Sequence, residues 1–239
     1  MKKLLKALAV IMLMNAVIFP GCKPEDDPNN GGGNNSGGIG TYNGHEFVDL
    51  GLPSGTLWAT CNVGATIPED YGDYFAWGEI EPKTTYNWST YKYANGDNQL
   101  TKYCSDSNYG YNGFIDSLTV LQPSDDAATA NWGSGWCMPT ADQWSELSAN
   151  TIIAWTTQNG VDGRLFTAHN GQSLFLPAAS YRWDDELYDV GDYGGYWSSS
   201  LNTGRPVRAW GFYFNSETYF TGSSDRCGGI SVRAVRSAR

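Results

Sequence analysis

"HEFVDLGLPSGTLWATCNVG", residues 45–64, is written as two arms around a turn. Val48, Leu50 and Leu52 alternate with Asp49 and Gly51, and Leu57, Ala59, Cys61 and Val63 alternate on the return. Pro53-Ser54-Gly55 supplies the turn, so the stretch reads as a β-hairpin. "RLFTAHNGQSLFLPAA", residues 164–179, reads as a second hairpin, because Asn170-Gly171 suits the positive φ angles of a two-residue turn. "GGYWSSS" (194–200), "RAWGFYF" (208–214) and "GISVRAVR" (229–236) read as three further short strands. One helix stands out in "PTADQWSELSAN", residues 139–150. Thr140 and Gln143 match a capping box, Asp142 complements the positive helix start, and Trp144, Leu147 and Ser148 share a face. Residues 66–126 are rich in Tyr, Asn, Asp and Gly with little periodicity, and are expected to be long ordered loops pinned by Trp and Tyr. The sum is an α+β domain, mostly strand and loop, with few helices.

The chain opens with "MKKLLKALAVIMLMNAVIFPGC". Lys2, Lys3 and Lys6 precede an apolar run over 7–19, too short to favour a spanning helix and flanked as in a signal peptide. Cys22 directly after Gly21 resembles the lipobox of bacterial lipoproteins, which implies a signal peptide over 1–21 and a lipid on Cys22. Residues 22–40 continue as a Gly/Asn/acid stretch without apolar periodicity, expected to be a flexible tether to a domain over 41–239. Glu25, Asp26 and Asp27 resemble the acidic signals that send some lipoproteins to the outer face of the cell. The expected location is the outer membrane, facing outward, with the lipid as the only membrane contact.

Formal net charge is −10; without residues 1–21 it is 12 basic against 25 acidic side chains, or −13. No basic patch compensates, which argues against a nucleic-acid partner. The domain is long enough for one sizeable core. Cys61, Cys104, Cys137 and Cys227 remain beside Cys22. An even number in an exported chain suggests two disulfides, with three connectivities open.

"GTLWATCNVGA" (55–65), "PEDYGDYFAWGE" (68–79), "GWCMPTADQWSEL" (135–147), "GGYWSSS" and "GISVRAVR" follow one another in an order and spacing that resemble the Fibrobacter succinogenes major paralogous domain. That family is similar to a branch of the C-type-lectin-like fold related to formylglycine-generating enzymes. The resemblance implies a compact C-type-lectin-like domain whose N- and C-terminal strands pair, with a large irregular loop region on one side. Such folds commonly staple a helix to the last strand. Cys137 lies just before the helix and Cys227 just before that strand, so the resemblance implies a Cys137–Cys227 bridge and leaves Cys61 with Cys104.

Catalytic chemistry finds little support. The related enzymes oxidise a cysteine with copper held by two cysteines, but no Cys stands in "GGYWSSS" or "RAWGFYF". His45 lies near the domain start and His169 in a hairpin turn, and Ser198, Ser199 and Ser200 lack a strand-to-helix elbow. Glu69, Asp70, Asp73, Glu79 and Glu81 in one segment, and Asp184, Asp185, Glu186, Asp189 and Asp192 in another, read as acidic surface loops without EF-hand spacing. "QPSD" at 122–125 falls short of a calcium-dependent sugar motif. No cofactor is expected, a structural calcium ion being the one such loops could hold. Trp58, Trp77, Trp132, Trp136, Trp144 and Trp197 are expected in the core, and Arg233 and Arg236 are expected to pair with the acidic loops.

The favoured function is therefore a non-enzymatic binding module. Some lipoproteins of this fold are targets of diversity-generating retroelements, which rewrite template adenines near the C-terminus, on the ligand-binding face. "TYFTGSSDRCGGIS", residues 218–231, lacks Lys, Glu, Gln, Met and Trp, as such rewriting requires, and has the aromatic/Ser/Gly composition of antigen-binding loops. The binding face is placed around 207–230, with Arg208, Phe212, Tyr219, Phe220, Asp225 and Arg226 as contacts and Trp183 as an aromatic anchor. The expected partner is a surface protein or a glycan. The alternatives are a glycan-binding accessory protein and, less favoured, a formylglycine-generating-type enzyme.

Overall fold

The computed structural model describes residues 38–238. The signal peptide and Cys22 lie outside the described residues, as does most of the tether. In chain order the elements are β1 (Ile39–Tyr42), β2 (His45–Val48), β3 (Thr56–Asn62), β4 (Tyr74–Phe75), α1 (Ala127–Trp132), α2 (Ala141–Ala149), β5 (Thr151–Gln158), β6 (Val161–Ala168), β7 (Ser173–Pro177), β8 (Tyr181–Trp183), β9 (Glu186–Tyr188), β10 (Gly194–Leu201), β11 (Arg208–Phe214), β12 (Tyr219–Asp225), β13 (Gly229–Ser231) and β14 (Arg233–Ser237). Strand β1 begins at Ile39, two residues inside the expected tether.

Strand holds 41% and helix 10% of the structure, which overturns the expected α+β, C-type-lectin-like class. The chain is mostly β, built from several packed sheets, closer to a β-sandwich than to α+β. The physical reason lies in stretches read as loop or left unassigned, which pair instead: 151–158, 181–188 and 219–225 all become strands.

Three sheets result. β1-β2-β3-β14 form one, β5-β6-β7 another, and the largest runs β12-β11-β10-β13-β8-β9 with β4 also on β13. The two hairpins expected from sequence are present in altered form. In one, Phe47 lies opposite Ala59, and the first strand stops at Val48, short of Leu50 and Leu52. In the other, Phe166 lies opposite Leu174, and the chain turns over 169–171 with positive φ at Gly171 and not at Asn170. "GISVRAVR" is not one strand. It divides at Val232, its first half pairing with β10, β8 and β4 and its second with β3, so the chain end stitches two sheets together.

The large sheet is covered on both faces. On one side Tyr196, Phe212 and Phe214 pack with Trp58, Trp144, Leu147, Phe166, Leu174 and Leu176. Their sequence neighbours Trp197 and Tyr213 point the other way, as strand alternation requires, and pack with Trp77, Tyr91, Tyr103 and Ile230. All six tryptophans expected in the core are buried. The capping box of α2 is made in both directions, Thr140 Oγ1 accepting from Gln143 N–H and Gln143 Oε1 from Thr140 N–H. Residues 66–126 hold one two-residue strand and two single 3-10 turns, and are pinned by buried Trp77, Tyr86, Trp88, Tyr91, Tyr93 and Tyr103.

The expected bridges do not form: Cys61, Cys104 and Cys227 are free thiols. The two cores explain it for Cys137 and Cys227, because Cys137 packs beside Trp58 and Trp144 and Cys227 on the opposite side of the sheet with Trp77. Arg233 does not pair with acidic loops either. It is fully buried and donates to Asn62 Oδ1 and to the carbonyls of Ala59 and Thr60. Arg236 lies over the Tyr42 ring, 3.7 Å from its centroid.

Asp126 caps α1, accepting from Thr129 N–H at 2.9 Å and Met138 N–H at 2.8 Å. Burial pushes its carboxyl up to about 6. A raised folded-state value means that the native state holds the proton more tightly than the unfolded chain. This contribution to stability is present below about pH 4 and is lost as pH rises through about 6. Urea unfolding of wild type and Asp126→Asn across that range is expected to show the wild type losing on the order of 3 kcal/mol relative to the variant. A difference that does not change with pH refutes the assignment.

Candidate ligand-binding face

The stretch read as a Gly/Ser loop is β12, the edge strand of the large sheet, paired with β11 from Arg208–Asp225 to Phe214–Tyr219 without a break in register. Gly211 and Gly222 face each other in this pair. A side-chain carbon on Gly222 would stand 2.8 Å from the Phe220 ring, and one on Gly211 2.9 Å from the Tyr213 hydroxyl. The two aromatic side chains thus lie back over the glycines and supply the packing that the glycines lack.

Tyr219 and Phe220 are 42% and 49% exposed at the tip of this hairpin. The tip is held rigidly. Asn215 Oδ1 accepts from Glu217 and Thr218 N–H, and Asn215 N–H donates to Thr218 O. From β6, buried Arg164 donates to the carbonyls of Asn215, Ser216 and Thr218, and its guanidinium lies 5.5 Å from the Tyr219 ring centroid. An arginine fork that satisfies three turn carbonyls fixes the turn before any ligand arrives. Sequence reading missed Arg164, and its only signal is a charged residue directly before the apolar Leu165-Phe166.

Phe220 also begins a row of rings on one side of the sheet. It contacts Tyr213 (5.7 Å), which contacts Tyr193 (6.2 Å), then Tyr181 (6.1 Å), then Tyr188 (5.5 Å). The far end is the β8–β9 hairpin, where Asp184, Asp185 and Glu186 are exposed. The Asp184 backbone exchanges hydrogen bonds with Tyr86, which ties that hairpin to the loop region. Trp183 is half-buried against the core, so it serves packing as well as any contact.

The expected contact residues therefore separate. Tyr219 and Phe220 are both exposed but on opposite faces of the β12 edge, Tyr219 beside Phe212 and Phe220 beside Tyr213. Arg208 and Asp225 form a half-exposed cross-strand pair at 3.0 Å. Phe212 is buried and stacks on Trp144 at 5.2 Å, and Arg226 is wholly buried, so neither reaches a ligand. Residues 226–231 are buried throughout, which limits any surface variation in 218–231 to 218–225.

The other chemical groups are engaged structurally. His45 stacks on Trp132 at 3.9 Å, His169 is exposed in its turn, and Ser198 Oγ donates to Trp210 O. Glu69 is buried and accepts from the side chains of Gln158 and Asn159. Among the described residues no three His, Cys, Asp or Glu gather into a metal cradle. Burial pushes the thiols of Cys61 and Cys104 up, and that of Cys227 up to about 12, away from the thiolate form that copper or nucleophilic chemistry uses. No family model, curated protein or solved structure matches this chain.

Proposed function

We propose that the chain is a lipid-anchored surface protein whose folded part is a non-enzymatic binding module. The observation that supports the site most is the exposure of Tyr219 and Phe220, one on each face of an Arg164-clamped hairpin at a sheet edge, where a ligand that grips the edge meets both. Large rigid aromatics on a preordered turn give contact area at low entropy cost. The lipid anchor rests on Cys22 and the residues before it; no described helix is long and apolar enough to cross a membrane. Among ligand classes a glycan is favoured by the ring row, which ends among exposed carboxylates able to accept from sugar hydroxyls. A surface protein is the second class, favoured by the free edge of β12, where an extended segment could add as a strand.

The test is binding of the full chain to a glycan array, with and without calcium, and to purified surface proteins. Tyr219→Ala/Phe220→Ala is expected to weaken binding about a hundredfold, as loss of two aromatic hot spots does. It should leave the melting temperature nearly unchanged, since both rings are half in solvent. Equal binding by wild type and variant removes the β12 tip from the site.

A further inference from the structure

The strand β5, "TIIAWTTQ", is the edge of its sheet and pairs with β6 at all eight positions, from Thr151–Ala168 to Gln158–Val161, without a bulge. Among the described residues no backbone N–H or C=O of 151–158 bonds outside that ladder. Alternate residues of an antiparallel strand turn their backbone groups away from the partner, so about half of β5 presents donors and acceptors outward. Soluble proteins usually blunt such an edge with charge, proline or a bulge. Here all three are missing, the residues are largely β-branched or aromatic, and Ile152 is 71% exposed, the most exposed large apolar side chain among the described residues.

We propose that β5 is a self-association edge, which pairs antiparallel with the β5 of a second copy and joins two three-stranded sheets into one of six. The charge pattern selects the occupant. The whole chain carries −10, so most surfaces of two copies repel each other. Between Glu146 and Asp162 no residue is charged, and the carboxylates that touch β5, Glu69 and Asp162, are held by Gln158 and Thr157 at its end, so most of a strand laid against its own copy meets no like charge. Strand alternation makes the pairing self-consistent. Ile152 and Ala154 lie on the outward face and meet outward residues of the copy, while Ile153 and Trp155 continue to pack inward on Trp144 and Phe214. The Gly-, Asn- and Pro-rich stretch 23–37 of the same chain is a poor strand former and so a poor competitor for this edge. This inference does not depend on the proposed ligand, since β5 belongs to a different sheet from β12.

The full-length chain in detergent, followed by sedimentation velocity over a concentration series, is expected to form a dimer. Ile152→Lys/Ala154→Lys places like charges on both copies at the seam and should raise the dimer dissociation constant about a hundredfold or more. At dilutions where the wild type is also monomeric the two melting temperatures should agree, because both side chains are exposed in the single chain, while only the wild-type value should rise with concentration. Amides of 151–158 should exchange more slowly in concentrated than in dilute wild-type protein. Three outcomes overturn the proposal: a wild type that stays monomeric, a variant that dimerises as the wild type does, or dimerisation lost in Phe220→Lys but kept in the β5 variant, which would place the seam on β12.

Discussion

Arg226→Ala is expected to cost the folded chain about 4 kcal/mol or more, the largest loss of any single polar substitution here. Its guanidinium is fully buried, yet no carboxylate lies within ion-pair distance among the described residues. It donates instead to Tyr91 Oη at 2.8 Å, to the carbonyls of Tyr103 and Pro206 at 2.9 Å, and to Lys102 O at 3.0 Å. The rings of Trp77, Tyr91 and Tyr103 surround it at 4.8, 5.3 and 5.8 Å. A planar fork is the one side chain that meets four acceptors in this arrangement, and the ring faces offset part of the cost of desolvating the charge. Alanine leaves the buried carbonyls of Tyr103 and Pro206 without donors, each costing about 1–3 kcal/mol, strips the part-buried Lys102 O of its partner, and opens a cavity as well. Lysine keeps the charge but cannot span the same acceptors, and should also destabilise, by a smaller amount. Urea unfolding of the three proteins measures this, and a loss under about 1 kcal/mol for the alanine variant would show that the loops rearrange around the gap.

The place of Arg226 shows where composition misleads. An arginine among Ser, Gly and aromatic residues has the look of a recognition loop, and nothing in "SSDRCGG" says that the chain dives inward after Asp225. The inward turn is set by long-range partners, since Arg226 N–H bonds to Val207 O and Trp77 N–H to Arg226 O. Its acceptors come from 91, 102, 103 and 206, far away in sequence. Local rules succeeded where the signal is local: the capping box at Thr140, the position (though not the two-residue form) of the Asn170-Gly171 turn, and tryptophans too large to leave in water. They failed for β12 because glycines and serines are poor strand formers, and the strand exists through the rings laid over Gly211 and Gly222. In β5 the β-branched signal was present in the sequence and went unread. The fold class was lost with these strands, since without them a domain of strand and loop with few helices reads as α+β, where three sheets make it mostly β. The disulfide pairing was lost for a related reason: cysteine spacing carries no information about which face of a sheet a residue will occupy.

Trp144→Ala is expected to destabilise by about 3–5 kcal/mol and to loosen the candidate face from behind. Helix α2 has nine residues, too few to hold itself together in water, so its place depends on what it buries. Trp144 is that anchor. It is fully buried, its ring meets Trp58 at 4.6 Å, Phe212 at 5.2 Å and Tyr196 at 5.9 Å, and its indole N–H donates to Trp197 O at 3.2 Å. Deleting it opens a cavity between helix and sheet and leaves that carbonyl without this donor. Phe212 loses its stacking partner and in turn supports Tyr219, whose ring lies 6.1 Å away. Native-state hydrogen exchange should therefore show faster opening of 141–150 and of the 212–221 hairpin, with the loops over 66–126 less affected because they pack on the opposite face of the sheet. Trp144→Phe keeps most of the ring stack and loses the N–H, so it should cost clearly less. Equal losses for both variants would mean that the hydrogen bond to Trp197 O, rather than the packing of three rings, fixes the helix. Exchange that rises evenly over the whole chain would mean that the helix and the β12 hairpin are not coupled through Phe212.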